Sequence, residues 1–249
     1  MLTNTFIHIP GVGPAAEARL WAHGVRTWRD FLREPAELPF SQAQQRHMRG
    51  YLLDSEKALE AGNHRFFAQL LPSREQWRAF PEFSHRLAYL DIETTGLGRD
   101  AEVTMVGLFD GRNYRAYIKG INFSEFPRDI RKFSLLVTYF GTCFDLPFLT
   151  QRFSRLKFGQ LHIDLCYLLR RLGYCGGLKH IEEKLGIKRS AETTGLSGFD
   201  AVRLWREYKQ GKKSSLDLLV RYNMEDVTNL ECLMRFGYNH MQKKLQLHL

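Results

Sequence analysis

The sequence contains few cysteines and no long apolar run, and both absences exclude classes of protein. Its four cysteines form no Cys-x-x-Cys pair, which argues against a disulfide framework or a zinc site: Cys143, Cys166, Cys175 and Cys232. No uninterrupted apolar stretch is long enough to cross a bilayer. No basic segment followed by an apolar one opens the chain, so no signal peptide is expected. We find no internal repeat or low-complexity tract. These absences predict a cytoplasmic protein with reduced thiols and no membrane partner.

The composition favours a folded core and an anionic partner. The 249 residues are 44% hydrophobic, which is enough for one sizeable core plus a small appendage. The formal net charge is +9 and the isoelectric point is about 9.5. A basic chain favours nucleic acid as its partner first and an anionic membrane surface second.

The N-terminal part predicts a small helical region, residues 1–80. Gly11 and Gly13 precede Pro14 and an alanine-rich apolar pattern, which indicates a tight turn that opens a helix. Thr27 is a candidate cap for the next short helix. This arrangement resembles a helix-hairpin-helix element. The resemblance implies that backbone amides at Gly11 and Gly13 bind a DNA phosphate. A purely structural helical hairpin, in which the glycines only form the turn, is the alternative.

From residue 85 to residue 249 the pattern predicts a second domain of the α/β class. Strands are expected at residues 87–91, 103–110, 114–119, 135–139 and 161–163, with a helix or irregular crossover at 122–132. A turn at 141–147 is expected to open a helix that runs through residue 155, and further helices are expected at 164–172, 178–185, 200–209 and 216–241. Strands in hairpin order followed by alternating helices and strands imply a mixed five-stranded sheet flanked by helices.

Two acids lie at the end of the first predicted strand. Because side chains alternate along a strand, Asp91 and Glu93 point to the same face. Two like charges on a buried strand repel each other and are costly to desolvate. A divalent cation with oxygen ligands, Mg²⁺ or Mn²⁺, would offset that cost. A strand end whose acids simply reach water is the alternative.

Two further acids are candidates for the same site. Asp145 follows the fourth predicted strand at the mouth of a helix, where strand ends line a common crevice. Tyr222 and Asp226 are four residues apart on the long C-terminal helix and share a face, whereas Glu225 is expected to face solvent. Several converging carboxylates are what a two-metal site requires. The structural alternatives are a helix cap for Asp145 and a half-buried tyrosine for Tyr222.

Three segments in this order resemble the motifs of the DEDD exonucleases, tyrosine subclass, which have a ribonuclease-H-like fold: Asp91-Ile-Glu93-Thr94-Thr95-Gly96, Phe144-Asp145 and Tyr222-x-x-x-Asp226. The intervening sequence, including Ile-Pro-Gly-x-Gly at residues 9–13, is similar to the YprB-type branch. The resemblance covers nearly the whole chain.

The resemblance implies a metal-dependent 3′→5′ exonuclease acting on a single-stranded 3′ end of DNA or RNA. It implies that two divalent cations, Mg or Mn, are held by four carboxylates. Tyr222 would orient the attacking water, since a phenol with a pKa of about 10 is a poor base at neutral pH. Backbone amides near the turn would approach the terminal nucleotide. The residues concerned are Asp91, Glu93, Asp145 and Asp226 as ligands, and Thr94, Thr95 and Gly96 at the turn.

The second motif departs from the pattern that it resembles. The family commonly has Asn-Gly before Phe-Asp, and this chain has Phe140-Gly141. The missing amide removes a polar group that could contact substrate, which bears on efficiency or substrate choice. Two other functions therefore remain open: a non-catalytic nucleic-acid-binding module with the same fold, and an endonuclease acting on structured substrates.

Overall fold

The computed structural model describes residues 1–33, 38–98 and 100–246. The chain divides into two compact units. The first contains Met1–His85, Gly159–Ile163 and Tyr238–Leu249, and the second contains Arg86–Phe158 and Asp164–Gly237. The expected division at residues 80–85 stays a prediction, and residues 34–37, 99 and 247–249 of the two predicted domains lie outside the described part.

The first unit is built from short helices. They are α1 (Pro14–Ala22), α2 (Trp28–Leu32), α3 (Gln42–Glu60), α4 (His64–Leu70) and α5 (Phe80–Phe83), with 3₁₀ turns at Leu2–Asn4, Ser73–Ala79 and Ser84–Arg86.

Local sequence signals explain where these helices begin. Gly13 is the N-cap of α1 and Pro14 is its first residue, where a missing N–H costs nothing. Thr27 and Ser41 each close a reciprocal capping box, at the start of α2 and of α3 respectively. Gly11 has a φ of +84°, which glycine adopts without a steric penalty.

The core of the first unit is aromatic. Trp28 stacks on Phe67 with ring centroids 6.1 Å apart, and His8 lies against Trp28 at 5.2 Å. Burial lowers the pKa of His8 to about 4, so the ring packs as a neutral aromatic group. Trp77 contacts Tyr238 edge-on at 5.9 Å, so the end of the chain contributes to this core.

A five-stranded mixed sheet follows. Its strands are β1 (Leu87–Thr94), β2 (Val103–Phe109), β3 (Tyr114–Ile118), β4 (Leu135–Thr138) and β5 (Leu161–Asp164), in the order β3-β2-β1-β4-β5. The central strand β1 is antiparallel to β2 and parallel to β4. The hairpin between β2 and β3 turns at Gly111, whose φ is +89°.

Helices flank the sheet. They are α6 (Phe126–Asp129), α7 (Asp145–Arg152), α8 (Leu165–Arg170), α9 (Leu178–Lys184), α10 (Gly198–Lys209) and α11 (Lys213–Gln246), with 3₁₀ turns at Phe123–Glu125 and Ile130–Lys132. None of the helices in the described ranges combines the length and the apolar character needed to cross a membrane.

The alternation of β1 assigns its residues to two faces. Ala88, Leu90 and Ile92 belong to a core cluster with α6 and α7 residues such as Phe126 and Leu149. Asp91 and Glu93 lie on the opposite face. Their register partners on β2 are Gly107 and Met105, and Met105 packs with the core residues of α10 and α11. The two acids therefore lie under α11, the helix that carries the third motif.

The fold prediction is confirmed: the chain is α/β, with a mixed five-stranded sheet flanked by helices. The sequence placed the end of β1 at residue 91, whereas the strand continues to Thr94. Its register shifts between Glu93 and Thr94. Such an irregularity changes the direction of the strand, and it lies where the predicted turn at Thr94 begins.

Candidate active site

Three carboxylates from two elements converge on one point. Asp91 and Glu93 come from β1 and Asp226 comes from α11. One carboxylate oxygen of each lies within 4.8 Å of those of the others, so the three could share a metal ion. Residues distant in sequence meet here because the face of β1 that carries the acids is the face that α11 covers.

Asp145 is buried near this group without belonging to it. It is the first residue of α7 and Phe144 holds the N-cap position, so Asp145 is not itself the N-cap residue. Only 2% of Asp145 is exposed, and its Oδ1 has no hydrogen-bond partner in the described part of the chain. A buried carboxylate oxygen without a donor favours a cation as its missing partner.

Burial raises the pKa of every one of these acids, and neighbouring carboxylates raise it further. The pKa of Asp91 is raised well above its ordinary value, by burial first and by the charges of Asp145, Asp226 and Glu93 next. Burial raises the pKa of Glu93 to about 8, that of Asp145 to about 7 and that of Asp226 to about 6. A divalent cation would reverse this penalty, and a set made only of carboxylate oxygens fits Mg²⁺ or Mn²⁺.

Asn223 connects the two acids of β1 to α11. Its Nδ2 donates to Asp91 Oδ2 at 2.9 Å and to Glu93 Oε1 at 3.2 Å. Its Oδ1 accepts from the Tyr114 hydroxyl at 3.0 Å, and the side chain is fully buried. A Cβ at Gly107 would lie 1.7 Å from Asn223 Oδ1, so only glycine leaves room for this amide.

Arg189 holds Asp226 from the other side. Its Nη2 donates to Asp226 Oδ1 at 2.5 Å, and its Nε donates to Glu182 Oε2 at 2.6 Å. The Arg189 side chain is only 7% exposed, so this pair is screened little by water. The guanidinium opposes the effect of burial on the pKa of Asp226. Arg189 therefore orients that carboxylate and offsets part of its charge.

Tyr222 is held by a lysine. Lys179 Nζ donates to the Tyr222 hydroxyl at 2.6 Å and lies 4.2 Å from the centre of its ring. Burial, and then the charge of Asp226, raises the pKa of Tyr222 above its usual value. The phenol therefore stays protonated, which leaves it able to orient a polar group and unable to act as a base at neutral pH.

Glu225 does not face solvent freely, which corrects the expectation from sequence. Its carboxylate accepts from the Ser190 amide at 3.3 Å and from the Thr193 hydroxyl. The neighbouring Arg221 pairs with Glu192. One side of α11 thus fixes residues 190–193, which directly follow Arg189 in the loop before α10.

The turn after β1 is already partly hydrogen-bonded. The Thr94 hydroxyl donates to the Gly96 carbonyl at 2.6 Å, and the Thr95 amide donates to the Glu102 carbonyl at 2.9 Å. The Thr95 N–H is therefore engaged within the chain. All three turn residues line the same pocket as the acids.

That pocket has acidic and apolar parts. Its volume is about 570 Å³, and its lining includes Asp91, Glu93, Asp226 and Tyr222. Leu97 and Phe199 also line it, and they are 76% and 82% exposed. Large apolar side chains this exposed beside a buried acidic group suit a ligand with both a flat apolar part and a charged part.

Gly11 and Gly13 lie in the first unit and are not among the residues of this pocket. Three residues of the site were not predicted to contact its acids or Tyr222: Asn223, Lys179 and Arg189, the last of which the sequence offered only as part of a basic pair with Lys188 that could follow a phosphate backbone. Asn223 had a usable signal, because it is three residues before Asp226 on the same helix face. Arg189 and Lys179 had none beyond general polarity, since they reach the site from separate segments.

One comparison with known proteins identifies a family. The family model of the RNase_H superfamily (RNase_H_2) matches residues 88–237. No curated protein matches the chain in a sequence search. The family B DNA polymerase from the hyperthermophilic archaeon Pyrobaculum calidifontis is structurally similar, with 17% identity and a TM-score of 0.46. That match covers 64% of this chain and 24% of the polymerase.

The family model runs from the second residue of β1 through β5 to the part of α11 that carries Tyr222 and Asp226. It therefore includes each acid of the pocket. Membership supports a nuclease-type function that acts on nucleic acid with divalent metal. By the extent of this match, the chain belongs to the RNase_H superfamily.

Proposed function

We propose that this chain hydrolyses phosphodiester bonds as a metal-dependent 3′→5′ exonuclease acting on a single-stranded end of DNA or RNA. The observation that carries the proposal is the convergence of Asp91, Glu93 and Asp226 in one pocket. The orphaned Oδ1 of buried Asp145 supports a fourth carboxylate ligand. Together these four residues would hold two divalent cations, Mg or Mn.

The cations, when bound, would supply the charge that activates a water molecule and stabilises the leaving oxygen. The residues of the chain do the rest. Asn223 and Arg189 fix the orientation of the carboxylates through the hydrogen bonds described above. Tyr222, protonated and anchored by Lys179, orients the water or the scissile phosphate.

The walls of the pocket fit a nucleotide. Leu97, Phe199 and Phe144 offer apolar surface to a base or sugar, and Arg206 offers a positive charge to a phosphate. Thr94 and Gly96, which lie between Glu93 and Leu97 in the sequence, line the same pocket. The helical hairpin with Gly11 and Gly13 is proposed as a second contact with the phosphate backbone.

The test is hydrolysis of a 5′-labelled single strand by the full chain with Mg²⁺ or Mn²⁺. We expect stepwise shortening from the 3′ end, with mononucleotides as products. Asp226→Asn should reduce the rate of hydrolysis by more than about 100-fold. That is a larger loss than is usual when a residue that only hydrogen-bonds to a metal ligand is replaced. Asp217→Asn is the matched control, because Asp217 is an exposed acid on the same helix and should leave the rate unchanged.

The products distinguish the alternatives. Internal fragments would support an endonuclease in place of the exonuclease. Salt-sensitive binding without hydrolysis in either metal would support a non-catalytic binding module, which the altered second motif at Phe140 favours. Mn²⁺ binding by the native chain, and its loss in Asp226→Asn, tests the metal site without relying on hydrolysis.

A further inference from the structure

The turn between β4 and α7 holds a bulky residue in a strained backbone conformation. Phe140 has a φ of +64° and is the only non-glycine residue with a positive φ in the described ranges. This region is costly for a large side chain and is normally occupied by Gly, Asn or Asp. The ring is 44% exposed, so packing in a core does not offset the strain. Strain of this kind is characteristic of sites that present a group to a ligand.

Asp164 fixes this turn. Its Oδ1 accepts from the Phe140 amide at 2.8 Å and its Oδ2 accepts from the Thr142 amide at 3.0 Å. The same carboxylate caps α8 by accepting from the Cys166 amide at 3.1 Å. One side chain therefore sets the turn and the start of α8 together, and this determines which residues of α8 lie beside Phe140.

The residue of α8 that lies there is a second exposed aromatic. The rings of Phe140 and Tyr167 have centroids 6.5 Å apart, and Tyr167 is 39% exposed. The exposed Arg170 places its guanidinium 5.7 Å from the centre of the Tyr167 ring. We call Phe140, Tyr167 and Arg170 the aromatic platform. It combines two flat apolar faces with a positive charge.

The aromatic platform is connected to the pocket by a short turn. Phe144, four residues after Phe140, lines the pocket, and Asp145 follows it. Five residues span at most about 18 Å, and the Leu146 amide donates to the Gly141 carbonyl at 3.0 Å, which shortens the turn further. A nucleic-acid strand whose end lies in the pocket could thus reach the aromatic platform within a few nucleotides.

We infer that the aromatic platform binds an unpaired base of the single strand whose end occupies the pocket, upstream of the scissile bond. This rests on the proposed function and specifies its substrate as single-stranded nucleic acid longer than a mononucleotide. Flat apolar side chains beside a cation match a base and its phosphate, and the net charge of +9 favours the same partner. Bases paired and stacked in a duplex do not offer a face to such rings.

Binding to the full chain in EDTA tests this inference without hydrolysis. The probes are fluorescently labelled oligonucleotides, single-stranded DNA, single-stranded RNA and duplex DNA. Phe140→Asn removes the ring and keeps a residue that adopts a positive φ readily, so the fold should be retained. We expect single-strand affinity to fall by about fivefold to a hundredfold, as for the loss of one base-stacking side chain. The melting temperature should not fall.

A control variant isolates the aromatic face. Ile121→Ala removes another large apolar side chain, 62% exposed, outside both the pocket and the aromatic platform, and should leave binding unchanged. DNA and RNA should respond alike to Phe140→Asn if the platform reads bases, which both share.

Two results would overturn the inference. One is that the native chain and Phe140→Asn bind single strands with equal affinity. The other is that Phe140→Asn loses as much affinity for duplex DNA as for single strands. Hydrolysis is measured separately on the native chain. If that chain cleaves and Phe140→Asn binds normally, the platform is refuted and the nuclease stands. If it does not cleave and Phe140→Asn loses binding, the platform stands and catalysis is refuted.

Discussion

At the scale of single residues, the site is dominated by carboxylates that are hard to ionise together. Burial and like charge raise the pKa values of Asp91, Glu93, Asp145 and Asp226. A group whose pKa is higher in the folded chain than in the unfolded one binds more protons when folded. Its contribution to stability is therefore greatest at low pH and is lost as the pH rises to the folded value.

The metal-free chain should become less stable between about pH 4.5 and about pH 8, the ordinary and folded pKa values of Glu93. Glu93→Gln keeps the shape without the titration and should flatten this decline. One pKa unit corresponds to about 1.4 kcal/mol, so the difference is measurable by denaturant unfolding in EDTA. Added Mg²⁺ should stabilise the native chain most at the upper end of this range. Identical slopes for the native chain and Glu93→Gln would contradict the prediction.

Which residues could be foreseen from the sequence depends on how they reach the site. Asp91, Glu93 and Asp226 were predicted: periodicity assigns each to a face of its own element, and the resemblance to the DEDD motifs implies that they share a site. Arg189 and Lys179 were not, because their contacts with Asp226 and Tyr222 arise only when separate segments pack together. Strand and helix periodicity says nothing about such contacts.

At the scale of elements, the site depends on how closely α11 approaches β2. Gly107 faces Asn223, and a Cβ there would meet Asn223 Oδ1 at 1.7 Å. The amide could then no longer donate to both Asp91 and Glu93 in its present position. The absence of a Cβ at Gly107 thus allows both the close approach of α11 to β2 and the alignment of Asp91 and Glu93 by Asn223.

Gly107→Ala should destabilise the chain by about 1–3 kcal/mol, the usual cost of overpacking a core, and should weaken Mn²⁺ binding. Gly50→Ala is the matched control: Gly50 lies in α3 with open space around it, so the change should stabilise the chain. Thermal unfolding and Mn²⁺ titration provide the measurements. Adding Asn223→Ala should restore stability in part but not Mn²⁺ binding. A Gly107→Ala chain with native stability and native Mn²⁺ binding would refute this account.

Element types were predictable where the apolar pattern was strong, as in β1 and α11. The end of β1 was not, since its irregularity at Glu93–Thr94 depends on pairing with β2. The strained turn at Phe140 was noticed as a departure from a motif, but its geometry depends on Asp164, which is distant in sequence.

At the scale of the whole molecule, the first compact unit is discontinuous in sequence. It includes Gly159–Ile163 and the chain from Tyr238 onward. Trp77 and Phe80 contact Tyr238, and Gln76 Oε1 accepts from the His162 amide at 2.7 Å. The sequence did not predict that these two later segments belong to the first unit. The expected boundary near residue 80 rests only on the change from a helical to a strand pattern.

A fragment comprising residues 1–85 should therefore lack part of its own core. We expect it to unfold with low cooperativity, since Trp77 would lose its contact with Tyr238 and the buried side-chain oxygen of Gln76 would lose the N–H that donates to it. Thermal unfolding followed by circular dichroism and tryptophan fluorescence measures this against the full chain. A sharp transition for the fragment, at the temperature of the full chain, would contradict the prediction.

Residues 221–226 of α11 carry most of the side chains of the site. Arg221 and Glu225 contact the loop at residues 190–193, Asn223 donates to the acids of β1, and Tyr222 and Asp226 line the pocket. A slip of this helix by one residue would rotate every one of these side chains by about 100°. A shift of α11 that breaks the contacts of Glu225 with Ser190 and Thr193 would therefore also move Asp226 away from Asp91 and Glu93. The position of this one helix couples the loop at residues 190–193 to the carboxylates of the pocket.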